Sequence, residues 1–478
     1  MSTSAKVTAR QRIENLLDDN SFVEIGAYVK ARNTDFNIQA KDTPSDGVIT
    51  GYGVINGGLV YVYSQDASVL GGSVGEMHAK KIASLYDMAM KTGSPVIGLI
   101  DSTGLRLQES VDGLNAFGQI YMKQSLASGV IPTVTAIFGN CGGGLSIVAG
   151  LSDFTFMEVE NAQLFVNSPN AITENRKEIC DNASAKFQSE EAGNVDFVGT
   201  EAEVIEGIRN LVSVLPSNNE DEASDLECYD DLNRAAEGIE NCGEDTLLAL
   251  ENISDDGFII EAKRNYAPEM VTAFIKLNGA TVGAVANRTK VYDDDMNVAA
   301  EFDAKLTAKG CNKAAEFVNF CDAFNIPVLT LTNVSGFAAT MCAERSLAKA
   351  AAKLTYAFAN ATVPKVNVVI GKAFGSAYVT MNSKSLGADM VYAWPTAEIG
   401  MMEADLAAKI MYADADAETI NEKAKEYAEL QSSPVSAARR GYVDTIIQPA
   451  DTRKYVIGAF EMLFTKREES PMKKHGTV

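Results

Sequence analysis

Apolar residues recur along the chain with two periods, one that suits strands and one that suits helices. The segment ARQRIENLLDD carries Ile13, Leu16 and Leu17 on one side and predicts an amphipathic helix within residues 1–20. SFVEIGAYV reads as a strand. Gly47–Asp66, GVITGYGVINGGLVYVYSQD, reads as two strands joined at Asn56–Gly57. Asn-Gly suits a tight hairpin because both central residues must take positive φ. GGSVGEMHAKKIASLYDMAMKTG comes next, a predicted helix with Met77, Ile82, Leu85 and Met88 at apolar positions. SPVIGLIDSTG is a buried strand running into a loop, and Asp101–Glu109 (DSTGLRLQE) leads into another helix.

The pattern then repeats. Ile131–Met157 (IPTVTAIFGNCGGGLSIVAGLSDFTFM) reads as strand, small-residue turn and helix start. So does VPKVNVVI (Val363–Ile370) with Gly371–Met381, GKAFGSAYVTM, directly after it. Pro132 and Pro364, Gly139 and Gly371, Pro95 and Pro327, and Gly104 and Gly336 are each 232 positions apart. A second hairpin lies in Gly257–Thr289, with its turn at Asn278–Gly279. ADMVYAWPTAEIGMM echoes SDFTFMEVENAQLFV with a few residues' drift. A fixed offset of this size predicts a duplicated domain of more than about 200 residues. Each half mixes strands with helices, which predicts an α/β fold of stacked strand–strand–helix units. Pro216–Gly243 is polar and acidic with few large apolar residues, and reads as an interdomain linker. The expected organisation is therefore residues 1–215, a linker at 216–243, and residues 244–478. Ala413–Ala438 is expected to be a polar helix.

Composition narrows the chemistry. With 478 residues, 46% hydrophobic and 22% charged, the chain suits a globular protein of more than one domain. No apolar run reaches transmembrane length, the start MSTSAKVTARQR is too polar for a signal peptide, and a cytoplasmic protein is expected. A formal charge of −23 disfavours nucleic acid and anionic membranes as partners. Seven cysteines without a C-x-x-C pair point away from a zinc ribbon and a disulfide framework, and no metal is expected. Histidines occur only at His78 and His475. A glycine turn opening a helix lets backbone come close to a ligand and leaves the first N–H groups without partners. Such groups can hold a developing oxyanion, and two such turns offer two oxyanion holes.

Nearly the whole chain resembles the carboxyltransferase subunits of biotin-dependent acyl-CoA carboxylases and decarboxylases, of the propionyl-CoA carboxylase β and methylmalonyl-CoA decarboxylase α type. The runs that carry this include TARQRIENLLDDNSFVEIG, DGVITGYGVINGG, GGSVGEMHAKKI, DSTGLRLQE, YAPEMVTAF, FCDAFNIPVLTL, YAWPTAEI, GYVDTIIQPADTR and the terminal KKHG. The resemblance implies two duplicated crotonase-like domains. It implies that the N-terminal half serves CoA and the C-terminal half serves biotin. The activity implied moves a carboxyl group between carboxybiotin and the α-carbon of a short-chain acyl-CoA, through a thioester enolate. Biotin would ride on a separate biotin carboxyl carrier protein, and a biotin carboxylase or a membrane decarboxylase subunit would complete the system. No ATP-binding glycine loop appears in this sequence, in keeping with that division. The site would form between the N half of one chain and the C half of another, within a homo-hexamer built as a trimer of dimers.

By family position, amides around Gly143 and Gly144 would hold the thioester oxygen. Those around Gly375, Ser376 and Ala377 would hold the biotin ureido oxygen. Gly71, Gly72, Gly104, Arg106 and Gly142 would contact CoA, Gly336 and Phe337 would contact biotin, and Val379 would help select the acyl chain. Biotin acts as the base in the family mechanism, so no side-chain acid or base is required. Four features have plainer readings. Cys141, beside the glycines, has no local His partner and reads as a small buried thiol. His78 lies in a helix of core positions. Arg106 could meet a CoA phosphate or pair with Glu109 one turn on. MAMKT (Met88–Thr92) ends a helix, which argues against a biotinylated lysine at Lys91. The family's loop around Gly336 carries two prolines and a second glycine. Here the run is NVSGFAATMCAERS, in which Gly336, Phe337 and Glu344 remain. Two other readings stand beside the main one. One is a crotonase-type hydratase or isomerase with Glu109 as acid or base, and the other is a non-catalytic scaffold of a carboxylase assembly.

Overall fold

The computed structural model describes residues 7–32, 42–173, 181–221, 228–293, 295–469 and 471. Cys180, His475 and the KKHG run lie outside them, as do residues 222–227 of the acidic stretch. The chain divides into two compact units, Met1–Glu222 and Ala223–Val478.

The first unit contains β1 (Val23–Ile25), β2 (Val48–Ile55), β3 (Gly58–Gln65), β4 (Val96–Ser102), β5 (Thr133–Gly142), β6 (Phe154–Glu158), β7 (Gln163–Phe165) and β8 (Phe197–Gly199). Its helices are α1 (Ala9–Leu16), α2 (Glu76–Thr92), α3 (Ser110–Ala127), α4 (Gly144–Leu151) and α5 (Glu201–Val214). The strands lie in the order β1-β2-β3-β4-β5-β6-β8, with β7 pairing the far end of β5. The pairs β1/β2 and β2/β3 are antiparallel, and every later pair is parallel. Parallel strands need crossovers, and α2, α3 and α4 supply them. Thr8 starts α1 with a capping box: its hydroxyl accepts from the Gln11 N–H, and the Gln11 side chain accepts from the Thr8 N–H. Ile13 and Leu16 of α1 are fully buried. α2 stops at Gly93 in the left-handed conformation, so Lys91 lies in the last helical turn.

The second unit repeats this plan with β9 (Ile259–Ala262), β10 (Met270–Leu277), β11 (Ala280–Asn287), β12 (Lys290–Tyr292), β13 (Val298–Glu301), β14 (Lys305–Leu306), β15 (Val328–Val334), β16 (Gly336–Phe337), β17 (Lys365–Phe374), β18 (Met390–Ala393), β19 (Glu398–Gly400) and β20 (Thr445–Ile446). Its helices are α6 (Thr246–Ile253), α7 (Ala308–Ala323), α8 (Met341–Glu344), α9 (Leu347–Asn360), α10 (Gly375–Thr380), α11 (Ala404–Met411), α12 (Ala417–Tyr427), α13 (Pro434–Arg439) and α14 (Thr452–Leu463). The main sheet runs β20-β18-β17-β15-β11-β10-β9, with β19 pairing the end of β17 as β7 does β5. The segment expected as one polar helix, Ala413–Ala438, contains α12 and most of α13, which Pro434 begins.

Side chains repeat along with the strands. Asp18 accepts from the Asn56 and Gly57 N–H groups at the first hairpin turn, and Arg209 binds Asp18 and the Leu16 carbonyl. Asp255 does the same for Asn278 and Gly279, and Arg453 binds Asp255 and the Ile253 carbonyl. Of the acidic stretch, Ala236 and Ile239 are buried in the second unit's core, and Asp230 pairs with Arg234 and Arg453.

Candidate active site

The main sheet of each unit carries an irregularity in the same place. Between the pairs Ile100–Ile137 and Ser102–Cys141, β4 supplies one residue and β5 three. Between Thr332–Val369 and Val334–Ala373, β15 supplies one and β17 three. The extra residues bend the long strand and re-aim the turn at its end. The single residue opposite each bulge is Asp101 or Asn333. A Cβ on Gly139 would overlap Asp101 Oδ1, and one on Gly371 would lie 2.6 Å from Asn333 Oδ1. These two glycines are therefore demanded by contact with a polar side chain.

Beyond the first bulge the chain reaches Gly143 (φ 60°, ψ −125°), a conformation a side chain would strain. α4 begins at Gly144. The Gly143 N–H donates to the Phe165 carbonyl at 3.0 Å, continuing the β5/β7 ladder. Gly143 thus supplies the turn's shape while its own donor is spent, a correction to its expected role as a donor. Gly144 and Leu145 open the helix, where N–H groups have no intrahelical acceptor. Leu145 was not singled out from sequence, although its place beside Gly144 was the available signal. The Gly144 carbonyl is anchored by Tyr121 Oη at 2.7 Å, and a Cβ at Gly144 would sit 2.7 Å from that oxygen. A Cβ at Gly142 would sit 2.5 Å from the Phe165 ring, and one at Gly143 would meet nothing within 4 Å.

The second turn lies at the end of β17. Gly375 (φ 62°) starts α10, with Ser376 exposed and Ala377 buried in the next two places. Ile147 and Val379 occupy matching positions, 47% and 40% exposed. β16 lies beside α10. The structure thus brings Gly336 and Phe337 next to the second turn. β16 pairs with Lys305–Leu306, just as Val74 bridges Leu105 in the first unit.

Gly71 (φ 68°) and Gly72 (φ 63°) interlace with the loop after β4: Thr103 N–H donates to the Gly71 carbonyl, and Ser102 Oγ donates to that of Gly72. Gly104 packs toward the Gly142 carbonyl, 3.5 Å from where its Cβ would stand. Gly71, Gly72, Gly104 and Gly142 therefore border one region. Arg106 does not join them. Its guanidinium is 1% exposed and binds Asp46 Oδ1 at 2.6 Å, Glu109 Oε1 at 2.8 Å and the Ser73 carbonyl at 2.7 Å. With its donors turned inward, it is a buried strut: of its two readings, phosphate ligand or partner of Glu109, the structure shows the pairing with Glu109. Glu109 is equally occupied, because its other oxygen accepts the Glu76 N–H at 2.6 Å.

The remaining candidates are inert. Burial pushes the Cys141 thiol up to about 12, far from a thiolate at neutral pH. His78 is fully buried, with Nδ1 3.0 Å from the Asp46 carbonyl and Nε2 3.2 Å from Gln65 Nε2. Burial, aided by Arg106, lowers its pKa to about 3. It is a neutral structural group. Among the described residues no cluster of His, Cys, Asp or Glu could hold a metal, and no helix is long and apolar enough to cross a membrane.

These features define a duplicated α/β scaffold with paired backbone turns, each opening a helix. The family described as carboxyl transferase domain matches residues 2–478, and the chain belongs to that family. It is 40% identical over 493 residues to methylmalonyl-CoA decarboxylase subunit alpha of Propionigenium modestum, covering 99% of this chain and 93% of that one. It is 39% identical over 487 residues to the propionyl-CoA carboxylase beta chain of Roseobacter denitrificans, covering 99% and 94%. A crystal structure of transcarboxylase 12S, described as a hexamer assembly with hydrolysed methylmalonyl-coenzyme A bound, matches with a TM-score of 0.92 at 39% identity. That match covers 98% of this chain and 92% of the other. The fold is the duplicated crotonase-like α/β fold.

Proposed function

We infer that the chain is the carboxyltransferase subunit of a biotin-dependent acyl-CoA carboxylase or decarboxylase, acting in the cytoplasm. The observation that carries this reading is the pair of matched turns, each set by a bulge and each opening a helix. Biotin, held on a carrier chain, supplies the ureido nitrogen that accepts or gives up the carboxyl group. This chain binds and polarises. At the first turn the Gly144 and Leu145 amides donate to the thioester oxygen as enolisation at the α-carbon charges it. Gly143 shapes that turn, and Gly71, Gly72, Gly104 and Gly142 border the region where CoA would lie. At the second turn the Ser376 and Ala377 amides, after Gly375, would hold the ureido oxygen, with Gly336 and Phe337 close to that turn. Val379 meets the acyl chain. One donor of this kind is worth roughly 10²–10³-fold in rate.

The open space at Gly143 and at Gly336, where a Cβ would meet nothing within 4 Å, fits such an approach. The hydratase or isomerase reading loses its acid–base group, since both Glu109 oxygens are engaged within the protein. α3 exposes Val111, Leu114, Met122 and Leu126 at helical spacing, each more than half exposed. An apolar stripe of this kind favours burial against another chain. It supports assembly with another chain, which we read as a homo-hexamer with the N half of one subunit against the C half of another, in keeping with the hexamer assembly described for transcarboxylase 12S.

The test is transfer of the carboxyl group from malonyl-CoA or methylmalonyl-CoA to free biotin by the purified full-length protein. Transfer supports the reading. A correctly assembled protein that transfers nothing, yet co-purifies with a biotin carrier, would make it the scaffold instead.

A further inference from the structure

The second turn has a support that its glycines alone do not explain. The bulge in β17 takes Ile370, Gly371 and Lys372 out of register with β15. Asn333, the one residue opposite, fills the gap with its side chain. Its Oδ1 accepts the Lys372 N–H at 3.0 Å, its Nδ2 donates to the Gly243 carbonyl at 3.4 Å, and its own N–H donates to Asn287 Oδ1 at 3.3 Å. The carboxamide therefore ties the strand end to the neighbouring chain segment, three residues before Gly375. Gly371 must lack a Cβ for this side chain to reach Lys372.

We propose that Asn333 is a positioning residue for the second turn, holding the β17 bulge so that the Ser376 and Ala377 amides meet the biotin ureido oxygen. This rests on the carboxyltransferase reading above. The matched residue of the first unit is Asp101, which can serve only as acceptor when ionised and has Arg12 Nη1 3.5 Å away. Asn333 is a donor as well, and the donor is what reaches Gly243. Without the carboxamide, the Lys372 N–H loses its acceptor and the bulge can relax toward regular pairing. A shift of about 1 Å at a reacting centre is worth about 10²-fold.

The experiment uses the full-length oligomer with methylmalonyl-CoA as carboxyl donor and free biotin as acceptor. Wild type, Asn333→Ala, Asn333→Asp and Gly371→Ala are compared. Asn333→Ala should lower kcat for transfer at least about tenfold, while the KM for methylmalonyl-CoA stays within about twofold, because the first turn is untouched. Asn333→Asp keeps the acceptor for Lys372 but loses the donor to Gly243, so its kcat should fall between those of wild type and Asn333→Ala. Gly371→Ala pushes a methyl into Asn333 Oδ1 from the other strand and should reproduce the Asn333→Ala split even if that variant fails to assemble. A wild type that transfers beside an equally active Asn333→Ala overturns the proposal and leaves the carboxyltransferase reading standing. So does an unimpaired Gly371→Ala. A wild type that transfers nothing overturns that reading, and this proposal with it.

Discussion

In the first unit the loop after β4 is pinned from beneath by Arg106, which gathers Asp46, Glu109 and the Ser73 carbonyl in a fully buried cluster. In the second unit the matching loop comes after β15, and the position 232 further on is Ala338, half-buried and held by its N–H to the Leu306 carbonyl. The residues after it, 339–342, are exposed. Yet the two bulges, the positive-φ glycines at Gly143 and Gly375, and the hairpin clamps at Asp18 and Asp255 agree between units. A backbone conformation that must present amides tolerates little drift. The side chains that hold a loop in place can be exchanged for others, provided that each buried polar group keeps a partner.

The largest expected effect tests the first loop's strut. Arg106→Ala leaves two buried carboxylates without their cation, and breaking such a pair costs about 3–5 kcal/mol. Denaturant unfolding should show a loss of that size, whereas Ala338→Ser at the matched position should stay within about 0.5 kcal/mol. Equal losses would mean that the loops are held alike.

The turns come next. Proline removes an N–H, and the first turn of a helix tolerates it. Gly144→Pro and Ala377→Pro should each cost roughly 10²–10³-fold in carboxyl transfer while the oligomer persists, and Gly144→Ala, which brings the same Cβ against Tyr121 Oη but keeps the N–H, should cost less. Gly144→Pro should slow α-proton exchange of the acyl-CoA, and Ala377→Pro should spare CoA binding. Swapped phenotypes would reverse the assignment of the two halves.

Val379 and Ile147 test whether one turn or both face the acyl chain. Val379→Asp and Val379→Ile should move the kcat/KM ratio among acetyl-, propionyl- and longer acyl-CoA by about 10–200-fold. Ile147→Val should leave that ratio unchanged, and a ratio that tracks position 147 would relocate the acyl pocket.

The last effect concerns pH; it is absent at neutral pH and within one pH unit below 6.5 is the smallest of these. His78 has no counterpart in the second unit, where the matched position is Gly310. Its pKa falls from 6.5 in the unfolded chain to about 3 when folded, chiefly through burial. Between these values the unfolded chain binds a proton that the folded one does not. Stability is therefore full above about pH 6.5 and lost as pH falls toward 3, by about 1.4 kcal/mol per pH unit. Thermal unfolding of the first unit should lose this component in His78→Gln, and an identical pH slope in both proteins would refute it.

Much of this could be read along the chain. Asn56–Gly57 and Asn278–Gly279 marked both hairpins because Asn and Gly accept positive φ at little cost. The 232-residue spacing marked the duplication, since a repeat that keeps its strands keeps the glycines that close contacts demand. The candidate turns were legible for the same reason. What the chain could not show was direction. Arg106 looked the same on paper as a phosphate ligand and as a strut, and only packing turned its donors toward Asp46 and Glu109. Gly143 looked like a donor until the β5/β7 ladder took its N–H. Asn333 carried no local signal at all, because its role depends on a register shift between strands far apart in sequence. Local sequence determines which conformations a segment can adopt. Which hydrogen bonds are already spent, and which remain for a ligand, is decided only when distant strands and helices close around them.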